Sequence, residues 1–165
     1  MQQNETGRVK FPDDIILVSK TDKHGTIKYA NVAFCEVAGY TEEELIGQPH
    51  NIVRHADMPK VVFKLLWTHL QAGHEFWGYV KNRTKQGGYY WVFAHVTPTF
   101  DSQGNIIGFH SDRRAPKESA LPKVEALYAR LREAEQRGGL AASEQLINDL
   151  LAKEEKRYDE FVFSL

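Results

Sequence analysis

Between Gly47 and Trp67 the chain reads Gly-Gln-Pro-His-Asn-Ile-Val-Arg-His-Ala-Asp-Met-Pro-Lys-Val-Val-Phe-Lys-Leu-Leu-Trp. Two imidazoles (His50 and His55), a guanidinium (Arg54) and a carboxylate (Asp57) are crowded into a turn punctuated by prolines. Such groups bind anions, relay protons or ligate metals. His50, His55 and Asp57 lack the regular spacing of a metal cage, so metal ligation is the weakest of the three. The cluster runs straight into an apolar helix carrying Phe63 and Trp67 one turn apart, able to wall a slot for a flat ring. A polar group leading into an aromatic wall reads as one side of a ligand pocket. The competing readings are core packing for Phe63 and Trp67, and a surface network with Asp57 as helix cap for the polar residues.

The elements that must position these residues follow from periodicity. Asp14 to Ser19 is a β-branched apolar run of strand length, Thr21 to Gly25 a turn and Thr26 to Tyr29 a second strand. Asn31 stands where a helix needs an N-cap, Phe34, Val37 and Ala38 follow at helical spacing, and Gly39 stops the element. Thr41-Glu-Glu-Glu44 is a capping box for a further short helix ending at Gly47. Asp57, with Pro59 in the first turn, is expected to cap a longer helix whose stripe is Val62, Phe63, Leu66, Trp67 and Leu70. The period then changes to two. Phe76, Gly78, Val80 and Asn82 share one strand face, so Asn82 is the polar tip of an inward row, or else a turn-capping side chain. Tyr89 to Thr99 is a long aromatic strand, apolar on both faces, whose register the pattern leaves open. Asn105 to Arg113 is the last strand. Two strands, several short helices and a three-strand meander give an α+β fold, an antiparallel sheet covered on one face.

Pro116 marks a change of composition. Pro122 to Gln136 and the segment after Ser143 are amphipathic helices joined by Gly138-Gly139, a helical hairpin whose stripes require the sheet or a partner for burial. Three segments result: 1–13 as N-terminal cap or flexible lead-in, 14–115 as the main domain, and 116–165 as the hairpin.

With 165 residues and a formal charge of −1, the chain has the size of one domain with an appendage and lacks the basic footprint of nucleic-acid binding. One cysteine, Cys35, precludes an internal disulfide and fits a reducing compartment; it is expected to pack as a small apolar residue. No signal peptide and no membrane span are legible, so a cytoplasmic protein is expected. His24, His69, His74, His95 and His110 read as turn or surface residues, and Lys81 to Lys85 as a solvated strand end.

The order of elements resembles a PAS domain, a sensory fold in which a five-stranded antiparallel sheet clasps a cofactor under short helices. Gly47 to Pro59 resembles, more narrowly, the Aer-type PAS domains of aerotaxis and energy-taxis receptors. So do Ala30-Asn-Val-Ala-Phe34, Gly39-Tyr-Thr-Glu-Glu-Glu-Leu45 and Val80-Lys-Asn-Arg83. The resemblance implies non-covalent FAD, with Arg54, His55 and Asp57 as matched pocket residues and Asn31, Trp67, Asn82 and either Tyr90 or Trp91 as further ones. It also implies a redox or oxygen sensor that signals by protein–protein contact. The family's receptors continue into a membrane anchor and a signalling coil. A chain ending in a helical hairpin is expected to be the stand-alone PAS half of a bipartite energy-taxis system, working through a separate membrane receptor, with a homodimer through the helices or the sheet face as a further option.

For a flavin, Phe63 and Trp67 would wall the ring, the Asn82 carboxamide would both donate and accept along its polar edge, and Arg54 would face the pyrophosphate or an anionic reduced ring. Haem is the rival cofactor, with His50 or His55 as axial ligand. A cofactor-free interaction module, its cavity filled by side chains, is the third reading. No dinucleotide-binding Gly-x-Gly-x-x-Gly, P-loop or nucleophile–base pair is legible, so an enzyme is not expected. Cys35 also lacks the Asn-Cys-Arg-Phe context of photosensory LOV domains.

Overall fold

The computed structural model describes residues 7–165. Five strands, β1 (Leu17–Asp22), β2 (Ile27–Ala30), β3 (Phe76–Arg83), β4 (Tyr89–Phe100) and β5 (Ile106–Arg114), form one antiparallel sheet in the order β2-β1-β5-β4-β3. Between β2 and β3 lie α1 (Val32–Ala38), α2 (Glu42–Leu45), a 3-10 turn at His50–Val53 and α3 (Lys60–Gln71), all on one face of the sheet. After β5 come α4 (Leu121–Glu154) and α5 (Tyr158–Phe163). The expected α+β architecture is the one observed. No helix among the described residues is long and apolar enough to cross a membrane.

Local chemistry sets most boundaries. Asn31 Oδ1 accepts from Phe34 N at 3.0 Å and caps α1, while Thr41 and Glu44 complete the capping box of α2. Gly39 closes α1 at φ 78°, a left-handed conformation that favours glycine; a Cβ there would also meet the Gln86 side-chain amide, which would have to swing aside. The start of α3 differs from expectation. Pro59 occupies the N-cap and offers no side-chain acceptor, and the carboxylate of Glu135 on α4 takes the Lys60 and Val61 amides at 2.9 and 3.1 Å. Asp57 is drawn instead to Lys81 Nζ, 2.9 Å away.

Pairing of Asn82 with Tyr90, and of Gly78 with Ala94, fixes the register that the sequence left open. Tyr90, Val92, Ala94 and Val96 face the helices; Tyr89, Trp91, Phe93 and His95 face the other side. That outer aromatic surface is why the sheet needs its second cover. Tyr128 of α4 lies 6.1 Å from Trp91, and Phe163 of α5 lies 5.1 Å from Trp77 and 5.4 Å from Phe93, between ring centroids. Tyr158 stacks on Phe76, an inward residue, at 5.6 Å, so α5 straddles the free edge of β3 and blunts it.

α4 is not straight. Gly139 leaves the helical region at φ 73°, ψ −167°, and the hydroxyls of Tyr128 and Tyr158 stand 3.4 Å apart. In a continuous helix those residues would be separated by roughly 45 Å at 1.5 Å per residue. The segment folds back as a hairpin, and Leu131 and Ile147, both fully buried, come from opposite arms. It buries its stripes on its own chain. Residues 7–13, read as a cap or flexible lead-in, are held down: Val9 N donates to Tyr89 O at 2.7 Å, Val9 and Phe11 are buried, and Arg8 grips the Glu118 carboxylate through both terminal nitrogens. Residues 1–6 of that segment lie outside the described residues.

Candidate functional site

A cavity of about 240 Å³ lies between α3 and the inner sheet face. Its roof is Phe63, Leu66, Trp67 and Leu70, successive residues of one helical stripe. Its floor is built by period-two alternation: Ser19 and Thr21 from β1, Val80 and Asn82 from β3, Ala94 and Val96 from β4. Phe109, Ser111 and Arg113 from β5 complete the floor. Roof and floor meet where Trp67 stands edge-on to Phe109 at 5.2 Å. The turn at His24–Gly25 and the residues Pro49 to Asn51 close one end. Gly25, at φ 84°, leaves space beside the Trp67 ring that a Cβ would contact at 3.6 Å.

The polar groups divide into two sets. Arg113 is 2% exposed, donating from Nη2 to Ser19 Oγ at 2.8 Å and from Nη1 to His50 Nε2 at 3.0 Å, with its carbon 4.3 Å from the Phe34 ring centroid. Burial lowers its pKa to about 10, so it remains a cation at neutral pH. A guanidinium has no lone pair to give, so His50 Nε2 is an acceptor and the ring proton sits on Nδ1. Burial, and next the Arg113 charge, push the His50 pKa down to about 3 and keep the ring neutral. The Ser19 hydroxyl, accepting from Arg113, donates to His50 Nε2 across 2.9 Å. Arg113 Nε is buried without a hydrogen-bond partner among the described residues.

Arg54 forms the second set. It is exposed, its guanidinium carbon 3.6 Å from the Phe63 ring centroid, and its backbone bridges to Asn82. Among the described residues lining the cavity there is no Asp or Glu, so two cations face it without a carboxylate. Buried charge left uncompensated is costly, and here the acceptors supplied by the protein are a serine and a neutral histidine. The arrangement is complementary to an anion or to a group that becomes one.

Of the residues singled out in the sequence, Arg54, Phe63, Trp67 and Asn82 line the cavity. The structure places the other five elsewhere. Asn31 spends its carboxamide on α1 and β1, accepting from Val18 N and donating to Ile16 O. His55 and Asp57 are turned away: the Asp57 amide donates to His55 Nδ1 at 3.0 Å, and the Asp57 carboxylate pairs with Lys81, an outward residue of β3. Alternation is the cause, because Arg54 bridges to Asn82 while His55 N reaches Lys81 O, the next position along β3. Tyr90 is inward and fully buried but does not line the cavity; its hydroxyl has no hydrogen-bond partner of regular geometry among the described residues, and burial raises its pKa to about 12. Trp91 is on the outer face, under Tyr128. His50 and the His55–Asp57 pair therefore do not converge, and no metal-binding group of three is found among the described residues.

Ser19 and Arg113 line the cavity without being singled out by the sequence pattern, and His50, singled out with the polar turn, joins them there. A signal for Arg113 exists: it alternates with Phe109 and Ser111 on the last strand, so a strand packed by Phe109 carries Arg113 inward.

Residues 27–111, just over half of the chain, match the family described as the PAS fold. The chain is 45% identical over 119 residues to the aerotaxis receptor of Escherichia coli strain K12, an alignment covering 72% of this chain and 23% of that receptor. It is 30% identical over 91 residues to a nitrogen fixation regulatory protein of Klebsiella pneumoniae, covering 55% of this chain and 18% of that protein. The chain thus spans about a quarter or less of these relatives' lengths. A light–oxygen–voltage domain whose mechanism was probed with a flavin analogue superposes with a TM-score of 0.58 at 17% identity, covering 67% of this chain and 84% of that one, a likeness of fold.

Proposed function

The chain belongs to the PAS family, and from that premise we propose that it is a cytoplasmic redox or oxygen sensor that holds FAD non-covalently and signals by contact with a partner protein, a membrane-bound taxis receptor. One observation carries the reading: a cavity roofed by Phe63 and Trp67 presents Arg54, Arg113 and the Asn82 carboxamide, and no Asp or Glu stands among the described residues that line it. The aerotaxis receptor of Escherichia coli and the light–oxygen–voltage domain support it by likeness.

When bound, a flavin supplies reversible electron uptake with a change of charge on its polar ring edge. The protein's part follows from the residues. Phe63 and Trp67, both in the roof, would exclude water from one face of the ring, and Asn82 offers a donor and an acceptor on one rotatable amide. Arg113 holds a fixed positive charge on the inner side, where added negative charge is stabilised without a proton having to move. The cavity is smaller than the roughly 300–1,000 Å³ of pockets for drug-sized ligands, so it suits a ring rather than a whole dinucleotide. Arg54, exposed beside it, is the residue for the phosphates.

Haem is disfavoured by His50, whose Nε2 is already engaged by Arg113 and Ser19 and whose basicity is suppressed. The same suppression argues against reading Ser19–His50 as a catalytic pair, since a base with a pKa of about 3 takes no proton from serine at neutral pH. The family relatives are a receptor and a regulator, and the sensor is not proposed as an enzyme. The test is an absorption spectrum of freshly purified protein before and after reduction. Bands near about 450 nm that bleach on reduction are expected; a Soret band near about 400 nm, or a colourless protein that still binds its partner, sinks the proposal.

A further inference from the structure

The roof helix of the cavity starts without a cap of its own. Pro59 has no side-chain acceptor, and the Lys60 and Val61 amides donate instead to Oε1 and Oε2 of Glu135, 75 and 74 residues further along the chain. The same Oε2 accepts from the Ser143 hydroxyl at 2.8 Å. Glu135 and Ser143 lie on opposite sides of the break at Gly139, so one carboxylate joins the roof helix to both arms of the hairpin. Two contacts flank it. Arg132 Nη1 donates to Asp57 O at 2.7 Å just before α3, and Lys64 pairs with Glu144 one turn into it.

At Gly139 the backbone takes a conformation that only glycine adopts readily, so helix hydrogen bonding does not set the angle between the arms. That angle rests on side-chain contacts, among which the Ser143–Glu135 bond is both polar and fully buried at its serine. The helix dipole adds to the hold on Glu135, whose single carboxylate serves the Lys60 and Val61 amides and the Ser143 hydroxyl together, while that hydroxyl also lies 3.0 Å from Leu140 O within its own arm.

We propose that Glu135 is a latch coupling the cavity to the C-terminal hairpin, so that displacement of the roof helix by the occupant of the cavity releases or tightens the second arm at Ser143. The signal leaves the cavity through α3 and Glu135, around the β3 edge, and the hairpin is the element whose position reports it. The coupling is reciprocal, as any binding linkage is. The identity of the occupant rests on the flavin reading above; the latch itself does not.

The test is hydrogen exchange on the whole chain, read in α3 and in residues 140–154, for wild type, Ser143→Ala and Glu135→Gln. Loss of one hydrogen bond at a coupled junction is expected to speed exchange about fivefold. In Ser143→Ala, which removes a single hydroxyl and keeps the α3 cap, that increase appears both in the second arm and in the first turn of α3. Faster exchange in the second arm alone overturns the latch and leaves Glu135 a local cap. Glu135→Gln, which keeps size and loses charge, is expected to act on both regions; an effect confined to α3 overturns it equally. In a second series FAD is added, with its binding followed by absorbance. Bound FAD changes protection of residues 140–154 in wild type, and the change is lost in Ser143→Ala. Bound FAD without that change overturns the latch. If FAD does not bind at all, the flavin reading fails, and the ligand-free comparison still decides the latch.

Discussion

Replacing Arg113 by Met separates a residue kept for a ligand from one kept for the fold. The guanidinium is 2% exposed, its Nε has no hydrogen-bond partner among the described residues, and its two hydrogen bonds reach neutral acceptors, Ser19 Oγ at 2.8 Å and His50 Nε2 at 3.0 Å. No carboxylate is stranded when it is removed, and Ser19 and His50 still bond to each other at 2.9 Å. Exchanging a buried, incompletely compensated cation for an apolar side chain of similar length is neutral or stabilising in such settings. Arg113→Met should therefore leave ligand-free stability within about 1 kcal/mol or raise it. Binding of FAD should suffer: a hydrogen bond to a charged partner is worth about 1.5–3 kcal/mol, which is about ten- to a hundredfold in Kd. The assay is a denaturant melt of the ligand-free protein beside a titration followed by flavin fluorescence quenching. A variant that loses several kcal/mol while binding FAD normally would show that the cation serves the core, and the reasoning from uncompensated charge would be refuted.

Three other outcomes follow from the same geometry. Asn82→Ala removes a carboxamide that is 4% exposed on the cavity floor, and should lower flavin content or shift the absorption bands, read on freshly purified protein. Leu131→Ala deletes a fully buried side chain between the hairpin arms and should cost about 2–5 kcal/mol in a thermal or denaturant melt, with the flavin spectrum of the folded fraction unchanged. His50, whose pKa drops from 6.5 to about 3 on folding, stays unprotonated in the native state while the unfolded chain takes up a proton. Its contribution is whole above about pH 6.5 and declines as pH falls toward 3, by at most about 1.4 kcal/mol per unit, and His50→Gln should flatten that slope in unfolding curves at pH 7 and 4.5.

What the sequence made legible was whatever depends on near neighbours. The caps at Asn31 and Thr41, the alternation of β3 and the break at Gly138-Gly139 are written within a few residues, and each appears where the pattern puts it. Reading failed where a side chain's partner is remote. Asp57 looks like the cap of α3 because it precedes the helix, yet the acceptor comes from Glu135 on α4. His55 and Asp57 look like companions of Arg54 because they follow it, yet a bridged segment sends successive residues to opposite sides. Arg113 was overlooked because an arginine near a strand's end reads as solvated, and only the pairing of β5 with β1 and β4 shows that it points inward.

These same facts bear on how a signal would leave the cavity. Transmission through the sheet would have to pass β4 and β5, each hydrogen-bonded along both edges, to reach an outer face already packed with Trp77, Trp91 and Phe93. Packed cores of that kind resist small displacements, and they switch only where two discrete arrangements exist. The roof helix is differently placed. It contributes four side chains to the cavity, its first-turn amides depend on a carboxylate from another helix, and its far partner ends in a hairpin bent at a glycine. Asn82, the polar residue that the sheet would offer to a ligand, sits on the edge strand, next to Lys81 and the Asp57 segment that Arg132 holds. Even the path that begins on the sheet thus runs out along its edge and arrives at α4.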